Sequence, residues 1–358
     1  MGKNLQQFLN GLLEGLTRPT PVSLFIAVLT LVLVIFSFSP QLFVRIPHEY
    51  FIVRPRALEV LASQKTLRLK DASEGSFAVT LIGASSLQEA LSEEDEMEQL
   101  LAARLQRPVV LTKLAVRGIE LFDVIRFVDQ LPANYNGIVL ICVSIEKYES
   151  PLQSMARFPL SSSLYNEQMR KAGFSPPPQT GIFLVDNYRF FSTRSKVLAK
   201  ALVFGPVEPI AHVSEGVGLS ERTGKIKKLI TGRAKSLPTL YQKNSRKNYS
   251  ILSVIFSRLK KSGIHGVYLH PPRNLEFLQR VFESTGKNDY LQNLENDITT
   301  YAQSSGITYW NLNDRRFFGY DDFRDFSHIS NTEARTRYTE MLLDKLEHMI
   351  RTEFKEKG

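Results

Sequence analysis

Cysteine is almost absent from this chain of 358 residues, where Cys142 stands alone. No internal disulfide can form. The apolar run around Cys142, GIVLICV, marks it as a small buried hydrophobe, at home on either side of a membrane. Glycine-rich phosphate loops are missing too. With no P-loop and no dinucleotide fingerprint, nucleotide chemistry has no sequence support. No His, Cys, Asp or Glu cluster has metal-ligand spacing, so neither a metal nor a cofactor is expected. The formal charge is +9. A basic balance suits nucleic acid, an anionic membrane surface or an anionic polymer. No nucleic-acid-binding signature accompanies it, so no nucleic-acid partner is expected. Internal repeats are absent as well.

Charge is missing altogether between Arg18 and Arg45, and residues 21–44 are almost wholly apolar. That length predicts a transmembrane anchor over 21–45. A cleaved signal peptide would have a shorter core ending in a small-x-small site, whereas this core ends in Ser39-Pro40-Gln41-Leu42-Phe43. Before it, Leu5, Phe8, Leu9, Leu12, Leu13 and Leu16 follow helical spacing. They predict an amphipathic helix within 1–20, to lie in the membrane interface or dock on a partner, with a loosely ordered tail as the alternative. Basic residues flank the anchor on both sides, so charge does not set its orientation.

Residues 46–75 read as a polar connector and 76–358 as one α/β domain. Strands are predicted over 77–82, 108–115 and 138–143, with helices over 86–106 and 119–131 between them. This alternation predicts a parallel sheet with helices on both faces. From about 145 to 250 the rhythm breaks in an insertion containing Pro176-Pro177-Pro178, Ser161-Ser162-Ser163 and a basic series from Arg222 to Lys247. Such a stretch reads as a functional insertion or lid. Its basic residues either face an anionic surface or glycan, or form a solvated face. The rhythm resumes with a helix near 249–262, a strand ending at His270, helices over 273–283 and 288–304, and a strand over 307–312. The C-terminal helix follows, with Ser330 and Glu333 spaced as a capping box.

Ser85 closes the first strand at the small-residue corner Gly83-Ala84-Ser85-Ser86. A serine there is either the N-cap of the next helix or a nucleophile presented at the mouth of the sheet. A nucleophile needs a base, and the base needs a group that holds its tautomer. Of six histidines, His270 ends a strand and can line a cleft. His328 has the stronger context, lying between the last strand and the last helix with Asp325 three residues before it. Open parallel sheets place their sites beyond the C-terminal strand ends, where Ser85 and His328 are both expected.

These blocks, Ile82-Gly83-Ala84-Ser85-Ser86 and Asp325-Phe326-Ser327-His328, resemble those of the SGNH/GDSL hydrolase superfamily. The resemblance implies a three-layer α/β/α fold. It also implies a catalytic triad of Ser85, Asp325 and His328, with Gly118 and the Ser85 backbone as oxyanion donors. Ala84 stands where the family has Asp. No Asn follows the third strand, and Ser144 is the nearest side-chain substitute. The variant serine block, the anchor and the insertion look most like the envelope acyltransferase branch, the DltD-type and alginate-acetylation (AlgJ/AlgX-like) proteins. That likeness implies single-pass attachment to a bacterial cytoplasmic membrane with the domain outside, in the periplasm. It implies O-acyl transfer to, or removal from, an envelope polysaccharide, acetyl being the expected acyl group. A membrane-bound O-acyltransferase is the implied partner. The alternative is an SGNH-like scaffold that has lost catalysis, and a weaker one is an esterase acting on membrane lipid. The α/β-hydrolase elbow fits less well, because Leu87 stands where its second Gly belongs.

Overall fold

Five short apolar runs pair into one parallel sheet: β1 (Phe77–Gly83), β2 (Val109–Ala115), β3 (Gly137–Cys142), β4 (His265–Leu269) and β5 (Thr308–Trp310). The structure is a computed structural model, and it describes residues 21–51, 58–69, 76–146, 157–160, 162–176, 179–206 and 216–354. The amphipathic helix expected within 1–20, Arg54-Pro55-Arg56, Ser161, Pro177, Pro178 and His212 lie outside the described residues.

The helices fall in chain order. The N-terminal ones are α1 (Pro21–Ser37), α2 (Pro40–Arg45), α3 (Glu59–Arg68), α4 (Ser85–Ala90), α5 (Glu94–Leu105) and α6 (Leu121–Asp129). The middle of the chain holds α7 (Ser163–Lys171), α8 (Phe183–Asp186), α9 (Tyr188–Phe204) and α10 (Gly224–Lys261). The last are α11 (Leu275–Glu283), α12 (Tyr290–Ser305) and α13 (Thr332–Glu353).

The strand order is β2-β1-β3-β4-β5. Both neighbours of β1 are in place, and it is buried along its whole length, as is β3. Strands covered on both faces have to be apolar throughout, and these are. Successive side chains point to opposite faces. Phe77, Val79 and Leu81 join Ile138, Leu140 and Cys142 in a core shared with α4, α5 and α13. Ala78, Ile82, Val139 and Ile141 face the other way, against α6, α7, α10 and α12. The result is a three-layer α/β/α arrangement. Its topological switch point lies between β1 and β3, and the crevice past their C-terminal ends is where such sheets bind ligands.

Three expected elements differ. The helix read over 86–106 breaks at Leu91, which is extended, and the Ser92 N–H donates to Thr339 Oγ1 on α13 at 2.9 Å instead of to a helical carbonyl. The helix read near 249–262 begins far earlier, at Gly224, and runs 38 residues through Pro238. Proline removes one helical hydrogen bond. Ile230, Ala234, Leu237, Asn244, Asn248 and Ile251 nonetheless keep one continuous buried stripe, and that packing outweighs the lost bond. Most of the basic series lies on the outer side of α10. The C-terminal helix is capped by Asn331, whose side chain accepts from the Ala334 N–H at 2.7 Å, while the Ser330 hydroxyl donates to the Asp321 carbonyl.

The anchor expected over 21–45 is not one helix. It stops at Ser37 and restarts at Pro40, with Ser39 as N-cap accepting from the Leu42 N–H at 3.3 Å. The residue before a proline is steered away from helical backbone, so Pro40 sets the break. Phe43 then packs into a fully buried cluster with Phe51, Val60 and Phe190. Residues read as connector join in: Gln64 on α3 donates to the carbonyls of Phe43 and Ile46 at 2.8 and 2.7 Å. Among the described residues no helix is long and apolar enough to cross a membrane. The 17 residues of α1 span about 25 Å.

Candidate active site

The corner after β1 is built by packing before chemistry. A Cβ on Gly83 would sit 2.5 Å from Leu87 Cδ2 and 2.9 Å from the Cys142 carbonyl oxygen, so only glycine lets β1 turn there beside β3. Ala84 is the N-cap of α4 and has no side chain to cap with. Ser85 is the first helical residue, and its hydroxyl is not used as a cap. Ser85 Oγ is instead 2.9 Å from His328 Nε2.

His328 stands on a loop pinned at both ends. Phe323 and Ile329 form an antiparallel bridge and are both buried. The Arg324 N–H donates to the His328 carbonyl, and the Asn274 N–H to the Phe326 carbonyl. Within the loop, Asp325 Oδ1 accepts from the backbone N–H groups of Ser327 and His328 at 2.8 and 3.0 Å, an Asx-type turn. The same carboxylate is 2.8–2.9 Å from His328 Nδ1. A carboxylate can only accept, so the proton is assigned to Nδ1, which leaves Nε2 to accept from the Ser85 hydroxyl. Burial opposes the charge on Asp325, but its bonds to His328 and to the Ser327 N–H outweigh that and hold its pKa below the usual value. Arg324 ties the loop to α4 by donating to Glu89 Oε1 at 2.6 Å.

A cleft of about 70 Å³ opens over this group and is lined by Ser85, Gly118, Ser144, Glu146, Arg273 and His328, among others. The expected oxyanion residues therefore share one cavity with Ser85 and His328 of the expected triad. Gly118 sits in a turn closed by the Ile119 N–H on the Val116 carbonyl, with φ +69°, a left-handed conformation that favours glycine. Arg157 clamps that turn, donating to the carbonyls of Arg117 and Gly118. Among the described residues neither the Ser85 nor the Gly118 N–H has a backbone partner in the turns and caps.

Ser144 enters the cleft but is otherwise engaged. Its hydroxyl donates to Glu146 Oε2 at 2.8 Å and accepts from the Glu146 N–H at 3.3 Å. Ser144, expected as a side-chain oxyanion donor, has its one hydroxyl proton on a carboxylate. Glu146 is 1 % exposed and also bonds Arg273 and, at 2.6 Å, the Tyr290 hydroxyl. Burial alone would raise its pKa, but Arg273, Tyr290 and Ser144 together bring it below the usual glutamate value. Asn244 and Asn248 of α10 donate to the carbonyls of Glu146 and Ile145 and hold this segment in place.

No known protein family matches the chain, and no curated protein does. The site therefore stands on its own geometry. His270 does not join it: it is buried, with Nδ1 2.8 Å from the Tyr309 hydroxyl and 3.3 Å from Glu295. Among the described residues no group of three or more His, Cys, Asp or Glu side chains is placed to hold a metal ion. Arg273 and the Glu146 carboxylate are the cleft residues that sequence reading passed over. Both follow the C-terminal end of a strand, β4 and β3 respectively, so a scan of every strand end for charged residues finds them.

Proposed function

We propose that the chain is a serine acyl-ester enzyme of SGNH type, transferring or removing O-acyl groups on an envelope polysaccharide. One observation carries the reading. Ser85, His328 and Asp325 lie far apart in sequence, yet form an unbroken chain of hydrogen bonds that opens on a cleft. In that arrangement Ser85 Oγ bonds to the acyl carbon while its proton passes to His328 Nε2. The tetrahedral anion is held by the Ser85 and Gly118 N–H groups. His328 then gives the proton to the leaving alcohol or thiol as the carbon–leaving-group bond breaks, and the acyl group stays on Ser85. A sugar hydroxyl or water, deprotonated by His328, releases it. Asp325 stabilises the imidazolium in both halves.

The small cleft favours a short acyl group, acetyl above all. Membrane attachment belongs to the same proposal, with the body outside a bacterial cytoplasmic membrane and a membrane-bound O-acyltransferase as partner. The apolar side chains of α1 support attachment, since Val22, Leu24, Phe25 and Ile26 are all more than half exposed. A scaffold without catalysis is the second reading, favoured by the engagement of Ser144 with Glu146.

Turnover of an activated acetyl ester by the purified full chain tests the proposal. Hydrolysis that disappears in Ser85→Ala supports it. Absence of wild-type turnover, with a cellular phenotype unchanged in Ser85→Ala and His328→Ala, supports the scaffold.

A further inference from the structure

Arg273 is 6 % exposed and lines the cleft that holds Ser85 and His328. Among the described residues its side chain makes one hydrogen bond, from Nη2 to the Glu146 carboxylate, and its buried Nε has no partner. A guanidinium has five N–H donors in a fixed fork, and buried donors are normally bonded. Most of this donor capacity is unused beside a nucleophile. The Glu146 pair fixes where the fork sits, and the Arg273 N–H bonded to Asn313 Oδ1 at 2.6 Å fixes the backbone behind it. Burial disfavours the charge, but Glu146 and Tyr290 outweigh it and keep the group protonated.

The sheet register shows which side of Ser85 it occupies. Gly83 is paired with Ala115 on β2 and with Cys142 on β3. Gly118 therefore flanks the nucleophile from the β2 side. Ser144 flanks it from the β3 side, two residues beyond Cys142 as Ser85 is two beyond Gly83. Ser144 and Arg273 bond the same oxygen, Glu146 Oε2. Gly118 thus lies on the β2 side of Ser85 and the Arg273–Ser144–Glu146 group on its β3 side, and all of them line the one cleft.

We infer that Arg273 is a catalytic residue that donates from its free Nη1 edge to the acyl oxyanion, completing the hole with Ser85 and Gly118. The inference rests on the serine acyl-ester reading. Charge develops on that oxygen only in the transition state, so the contact acts on kcat rather than on substrate binding.

The test uses full-chain protein, p-nitrophenyl acetate as substrate and phenylboronic acid as a tetrahedral-anion probe. Arg273→Gln and the double variant Arg273→Gln/Glu146→Gln are compared with wild type. The double variant leaves no unpaired buried charge, and circular dichroism checks that it folds. Loss of kcat on the order of 100-fold in both, with KM within about threefold and boronate affinity falling in step, is the expected result. Unchanged kcat in the folded double variant overturns the inference. So does a loss carried by KM with boronate affinity unmoved, which would make Arg273 a substrate-binding group. A wild type that neither turns over the ester nor binds boronate sinks the serine acyl-ester reading itself, a result distinct from a wild type that is active and variants that match it.

Discussion

Two serines stand at matching places in the sheet and differ in everything that matters chemically. Ser85 lies two residues beyond Gly83, and Ser144 two beyond Cys142, its partner in register. Ser85 meets the imidazole of His328, whose free ring nitrogen can accept the hydroxyl proton and hand it on. Ser144 meets the Glu146 carboxylate, whose pKa lies below the ordinary value because Arg273 and Tyr290 outweigh its burial. A carboxylate held ionised so firmly is too weak a base to activate a hydroxyl. The position in the fold is shared, and in the proposed reading the partner decides which serine acts as nucleophile and which as a brace.

The contrast breaks most directly at the two hydroxyls. Ser85→Ala is expected to lower ester turnover on the order of 10⁴-fold or more, as His328→Ala should. Ser144→Ala should cost less than about tenfold, well short of the loss of a true oxyanion donor. Equal losses at the two serines would erase the distinction. Asp325→Asn keeps the loop's shape but lets the ring choose the wrong tautomer, and turnover should fall by about 10³- to 10⁴-fold. Steady-state kinetics on protein of checked circular dichroism reads all four.

The Ser144 side should dominate stability instead. Arg273→Met leaves Glu146 buried and unpaired, at an expected cost of about 3–5 kcal/mol in denaturant unfolding. The corner under Ser85 is next. Gly83→Ala forces a Cβ against Leu87 and the Cys142 carbonyl, costing about 1–3 kcal/mol and displacing Ser85 from His328.

The smallest effect is a pH dependence with opposite signs on the two sides. Glu89, next to the loop that carries Asp325 and His328, has its pKa raised, mainly by burial, with His328 and Arg324 opposing. Its contribution is full below the ordinary glutamate pKa and is lost as pH rises through the higher folded value. Glu146 has the lowered pKa, so its contribution is full above the ordinary value and is lost as pH falls through the folded one. Between about pH 3 and pH 7, Glu89→Gln should therefore gain stability relative to wild type as pH rises. Glu146→Gln should lose it. Parallel trends in thermal unfolding would contradict the assignment of the two environments.

The legible and illegible parts of this chain divide along physical lines. Strands β1 and β3 were readable because burial on both faces demands unbroken apolar runs. Ser85, Asp325 and His328 were readable because a strand end and a short loop each present a side chain in a set direction. Where tertiary contacts overrode local preference, sequence reading failed. Leu91 and Ser92 break a helix for the sake of Thr339, and Pro238 rides inside α10 because the stripe from Ile230 to Ile251 stays buried. Glu146 and Arg273 look like ordinary surface charges until the sheet brings them face to face. The absent asparagine points to Ser144, while the unused donors belong to Arg273, just past the end of β4.

The central claim is that Ser85, and not Ser144, is acylated. The direct measurement is peptide mapping by mass spectrometry after brief exposure of the full-chain protein to an activated acetyl ester. The account predicts a single acetyl adduct on Ser85, absent in His328→Ala and present in Ser144→Ala. An acetyl group on Ser144, or no adduct on either serine, would contradict it.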